Sequence, residues 1–185
     1  LTDALFAAKS FDAFELIGGF YKHQFESNNF QVVRYYEEQA KGNRFPVVGL
    51  SDSHGTDSFR LSGKSANMEF CGSEDADLFG WYYTMVLAAS DSRDDIIAAI
   101  KDFRSVAVCA PSGSVPMMFG DSRMVRYANF LFREYYPWHD TLCQAEGAAM
   151  LDLLAGDASG KEALQAWKGR VPKYREACYR NAVNP

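Results

Sequence analysis

The chain has 185 residues, enough for one ordinary domain with a helical appendage and a sizeable core. Apolar residues make up 48% and aromatic ones 15%, which excludes intrinsic disorder, and a formal charge of -5 argues against polyanion binding as the main function and against nucleic acid as a general partner, while leaving room for a local basic pocket. No run reaches the ~18 continuous apolar residues of a membrane span and no charged-then-apolar signal segment is read at the start, so a soluble, cytoplasmic protein without a membrane partner is expected.

In chain order, Thr2 to Lys9 has the period and composition of a short helix, and "FDAFELIGG" follows as a strand ended by Gly18 and Gly19. From Asn28, "NNFQVVRYYEEQAKGN" sets Val32, Val33, Tyr36 and Ala40 at helical spacing, with Asn28 or Asn29 as N-cap and Gly42 as the left-handed stop. "FPVVGL" is a second strand, its Val47, Val48 and Leu50 suited to burial on both faces. A crossover of this length makes the two strands parallel, so their carboxyl ends share one edge. Glu15, His23, Asp52 and His54 would face that edge, His23 from the loop after the first strand.

Beyond a polar loop from Thr56 to about Asp77, "LFGWYYTMVLAAS" is a strand and "SRDDIIAAIKDF" a helix with a Ser92/Asp95 capping box and Ile96, Ile97 and Ile100 on its buried face. "SVAVCAP" is another strand, and "SGSVPMMFGD" a loop whose "VPMM" centre packs against the helices that follow. From Ser122, "SRMVRYANFLFREYY" is helical, Pro137 restarts the chain into a second helix capped by Gly156, and "GKEALQAWKG" and "KYREACYR" supply a third and a fourth. Cys71, Cys109, Cys143 and Cys178 form no metal-type pair and are expected to be reduced core thiols.

The chemistry-bearing motif is "SDSHG". A carboxylate and an imidazole two residues apart after a buried strand are suitable ligands for zinc, manganese or iron, while an Asx-turn at Asp52 and a loop histidine at His54 satisfy the same spacing. Two ligands do not make a site. His23 reads either as a phosphate or metal contact or as an exposed histidine, Glu15 either as a functional or as a buried, hydrogen-bonded carboxylate, and His139 as a residue that caps and packs. Arg123 and Arg126, one turn apart, have the chemistry of a phosphate clamp, and with Arg133 they also read as solvated helix charges.

Taken together, "FDAFELIGG", "SNNFQVVRYYEEQAKGNRFPVVGLSDSHGTD" and "TMVLAASDSRDDIIAAI" resemble the carboxyl-terminal part of the PHP domain family, named after polymerase and histidinol phosphatase, across roughly Leu1 to Ala110. The resemblance implies a distorted seven-stranded β/α barrel that binds two or three divalent metal ions and hydrolyses a small-molecule phosphate ester. It makes Asp52 and His54 the last metal-ligand pair of the motif, and Glu15 a catalytic glutamate beside the metals or toward the substrate. The family's amino-terminal His-x-His pair has no counterpart, because the chain holds three histidines, His23, His54 and His139. A catalytic zinc needs about three protein ligands. The isolated chain is therefore expected to be a fragment that binds few or no metal ions and has little activity alone.

The fold class expected is α/β: the last β/α units of a PHP-type barrel over residues 1–120, then an α-helical extension over 121–185. Unpaired strands would leave an apolar edge for homo-oligomerisation or for pairing with a missing amino-terminal half. The alternative function is a non-catalytic binding or assembly module whose aromatic helices dock a partner.

Overall fold

The structure is a computed structural model that describes residues 2–18, 22–51, 82–110 and 115–183, without the side chains of 22–27, 179 and 181–183. It is mixed α/β. In chain order the elements are α1 (Thr2–Ala8), β1 (Phe14–Gly18), α2 (Lys22–Ala40), β2 (Val47–Leu50), β3 (Tyr82–Val86), α3 (Arg93–Lys101), β4 (Ser105–Cys109) and β5 (Met117–Gly120). They continue with α4 (Ser122–Phe130), a π-helical turn (Leu131–Tyr135), α5 (Tyr136–Leu154), α6 (Ala158–Trp167) and α7 (Arg170–Val183). Contacts divide the chain into two compact units, Leu1–Ala128 and Asn129–Pro185.

In the first unit β1 and β2 pair in parallel, Phe14 opposite Val47 and Gly18 opposite Leu50, with a bulge between Glu15 and Ile17. The crossover length read from the sequence thus set the strand direction correctly. Helix α2 starts six residues before the expected cap. Asn28 lies inside it, because its amide is turned inward: Oδ1 accepts from the Gly18 N–H at 3.1 Å and Nδ2 donates to the Gly18 carbonyl at 2.9 Å. A long-range partner has displaced the local capping preference of asparagine. The inward face is accordingly rotated from the expected one. Asn28, Tyr35 and Glu38 are buried, whereas Val33 and Tyr36 are each 55% exposed.

The remaining strands form an antiparallel sheet in the order β3-β4-β5, with Tyr82 opposite Cys109 and Val106 opposite Gly120. A β/α barrel unit would make β3 and β4 parallel; here α3 returns the chain antiparallel, and no closed barrel forms among the described residues. The expected "VPMM" contact is instead the start of β5, where Val115 is 87% and Met117 55% exposed. Side chains join the two sheets. The Thr84 hydroxyl accepts from the Gly49 N–H at 3.0 Å and donates to the Gly49 carbonyl at 2.8 Å, and Ser105 Oγ donates to the Val47 carbonyl at 2.8 Å. Gly49 must be a glycine for this approach, since a Cβ there would lie 2.8 Å from the Tyr83 carbonyl oxygen.

The core beneath is formed by Leu16, Ile17, Tyr35, Val47, Tyr82, Ala107 and Cys109, with Phe14, Val32 and Phe119 at its margin. Each fully buried aliphatic side chain stabilises the fold by about 1.5–3 kcal/mol. On α3 the Ser92 hydroxyl accepts the Asp95 N–H as expected, but Asp95 accepts from Ser90 and does not return to Ser92. The buried residue of α3 is Ala99, while Ile97 is 38% exposed, because the close packing side of this helix takes a methyl group.

In the second unit Pro137 does not break the helical path. The π turn supplies a wider hydrogen bond, from the Tyr136 N–H to the Leu131 carbonyl, so the ring with no N–H to give enters in the first turn of α5. Gly156, at φ +85°, ends α5 as expected, and α5 and α6 then approach so closely that a Cβ on Gly160 would meet the Asp152–Leu153 backbone. Tyr174 of α7 stacks on Tyr135 at 5.5 Å and donates to the Glu134 and Tyr135 carbonyls. Of the cysteines described, all free, only Cys109 is buried; Cys143 is exposed, contrary to the expectation of a core thiol, because it lies on an outward position of α5.

Candidate functional site

The parallel pair places two carboxyl ends side by side, and β2 ends there at Leu50, one residue before Ser51 and two before Asp52. Glu15 is the second residue of β1, yet its carboxylate reaches along the strand to the same edge. A Cβ built on Gly18 would lie 2.5 Å from Glu15 Oε1 and 2.7 Å from the Leu50 carbonyl oxygen. Glu15 is exposed, so the buried alternative is not the one realised. The Glu15 carboxylate and the carbonyl of Leu50, the last residue of β2, therefore both lie against Gly18.

Polar side chains that the periodicity did not single out hold this edge. Asn28 binds both backbone groups of Gly18 and lies 3.5 Å from the Tyr82 hydroxyl, and Thr84 binds both backbone groups of Gly49. With its amide nitrogen facing β1, Gln31 donates to the Glu15 and Leu16 carbonyls at 3.1 and 2.9 Å. These bonds occupy backbone groups left over by a two-stranded ladder, so a further strand seeking that side of β1 would have to displace Asn28 and Gln31. The signal for them was a polar residue at an inward helical or strand position. Asn28 was legible only as a cap.

Asp52 and His54 lie outside the described residues. His23 is in the first turn of α2 and not in a loop, because the helix begins earlier than its caps suggest; its side chain lies outside the described set. Among the described residues no group of three or more His, Cys, Asp or Glu side chains could hold a metal ion, and no helix is long and apolar enough to cross a membrane. Arg123 and Arg126 are exposed on α4. His139 packs, as expected, with its ring 5.1 Å from Tyr135 and Nδ1 3.1 Å from Asp140 Oδ1. Comparison with family models, with curated proteins and with solved structures found no match.

Proposed function

We propose that the chain carries the closing portion of a PHP-type, metal-dependent phosphoesterase site, built on the last strands of a distorted barrel, with Asp52 and His54 as metal ligands and Glu15 on the substrate side. One observation carries this reading: the parallel register of β1 and β2 brings the Glu15 carboxylate to the edge at which the Ser-Asp-Ser-His-Gly segment begins. Ligands and substrates of parallel α/β sheets sit at that edge. The ligand pair, a carboxylate and an imidazole, suits zinc, manganese or iron, and such ions polarise phosphoryl oxygens and lower the pKa of coordinated water. The chain's own residues orient this edge through Asn28 and Thr84. Further ligands come, in this proposal, from sequence outside the 185 residues, and the substrate is a small phosphate ester.

The experiment uses a polypeptide that includes this sequence and the segment preceding it. Asp52→Ala and His54→Ala should each lower manganese-stimulated hydrolysis of p-nitrophenyl phosphate by about a hundredfold or more, and Glu15→Gln should lower kcat more than it changes KM. Undiminished turnover in both ligand variants would refute the assignment. A second reading, a binding or assembly module, is favoured by Trp138, Leu151 and Leu154, which are 64%, 68% and 76% exposed. It predicts that Asp52→Ala is silent while polar replacement of Leu151 and Leu154 abolishes partner capture.

A further inference from the structure

At the opposite end of the same strands lies a cleft of about 410 Å³, lined by Tyr35, Gln39, Arg44, Phe45, Phe103 and Asp121 among others. Arg44 and Phe45 precede β2 and Phe103 precedes β4, so the cleft is separate from the carboxyl-end edge and independent of the function proposed for it. Its volume falls in the ordinary range of small-molecule sites.

Two features set it apart from an incidental groove. Phe103 has φ +59°, a left-handed conformation that a bulky residue rarely adopts. It occupies the residue after the α3 cap, with its N–H bonded to the Ile100 carbonyl and that of Arg104 to the Ala99 carbonyl, a position where glycine is the favoured residue. The strain places an aromatic ring in the cleft. The Arg44 guanidinium lies over that ring, 4.8 Å from its centroid, and binds Asp121 Oδ2 at 3.0 Å, which leaves the lining polar but without net charge. Tyr35 is the second feature. It is 5% exposed, and its hydroxyl accepts from Gln39 Nε2 at 2.7 Å, yet its own proton has no acceptor among the described residues. Burial, above all, raises the pKa of this phenol and keeps it a donor.

We propose that this cleft binds a neutral, flat, amino-bearing heterocycle of the nucleobase type. Its ring would stack against Phe103 and Arg44, an acceptor atom would take the Tyr35 proton, and its amino group would donate to Asp121. A π-face is what a strained aromatic residue beside a guanidinium offers, and stacking of bases on aromatic and arginine planes is a general recognition mode. Because Asp121 already neutralises Arg44, a phosphate adds nothing, and a nucleoside suffices.

The test is ligand-observed saturation-transfer NMR on the full chain, with adenosine, guanosine and cytidine as probes and ribose and benzoate as controls. Saturable transfer to the base protons of at least one nucleoside, and none to either control, is expected. Tyr35→Phe should weaken that binding about tenfold, the loss of one hydrogen bond. Phe103→Gly should abolish it while the protein still melts cooperatively, since glycine suits this backbone. Absence of saturable transfer, equal transfer to benzoate or ribose, or unaltered affinity in Tyr35→Phe would each overturn the proposal; so would binding that persists in a folded Phe103→Gly.

Discussion

The two units of the chain keep their backbones satisfied by different means. In Leu1–Ala128 the short strands are completed by side chains from distant elements: Asn28 serves Gly18, Thr84 serves Gly49 and Ser105 serves Val47 across 58 residues of sequence. In Asn129–Pro185 the backbone is served chiefly within its own helices, and what ties the helices together is a stacked tyrosine pair, whose Tyr174 hydroxyl also donates to two carbonyls, and a close glycine approach. The first unit depends on single polar atoms. The second depends on surface shared between neighbours, and much of its apolar surface, Leu151 and Leu154 included, faces outward. Loss of one atom should therefore damage the first unit far more than the second.

The largest effect expected is at the core. Leu16→Ala, at a site with 0% exposure, should cost about 3 kcal/mol in urea unfolding, while Leu151→Ala, at 68% exposure, should stay within about 0.5 kcal/mol. Equal losses would erase the contrast. Thr84→Val keeps the shape and removes the hydroxyl, so it leaves both backbone groups of Gly49 unserved and should cost about 1–3 kcal/mol by the same measurement. The corresponding one-atom change in the second unit, Tyr174→Phe, removes a donor shared between two carbonyls already in a helix and should cost about 1 kcal/mol or less.

The smallest effect is electrostatic. Hydrogen bonds from Lys41 and then Asn43, with the charges of Lys41 and Arg34, hold the buried Glu38 carboxyl below its ordinary range. A depressed carboxylate contributes stability above its unfolded pKa of about 4.3 and loses it as pH falls through the folded value. Glu38→Gln should therefore flatten the acid limb of the stability curve below about pH 4.3 and leave the neutral region comparatively flat. An unchanged acid limb in the melting temperature would show that this carboxylate is not held.

Much of the local structure was legible. The α1 period, the β1–α2–β2 order, the left-handed stops at Gly42 and Gly156 and the Ser92 cap all depend on neighbours within a few residues, and the sequence displays those neighbours. The misreadings share a cause. Asn28 looked like a cap and is a clamp, Phe103 carried no glycine to announce its left-handed turn, and the Met117–Gly120 strand looked like a loop because its partner is β4. At the candidate site, the carboxyl-end edge was readable from the crossover length and Glu15 from its strand, whereas the polar clamps that hold that edge were not.

What the sequence determined by itself was the kind and order of the elements other than β5 and the parallel direction of the first two strands, because helical period, capping chemistry and crossover length are short-range properties. What tertiary structure alone decided was which face of α2 turns inward, the antiparallel return of β4, and the side chains that stand in for missing ladder partners. Those outcomes arise when a donor and an acceptor ten to nearly sixty residues apart are desolvated together, and nothing local records which pair that is.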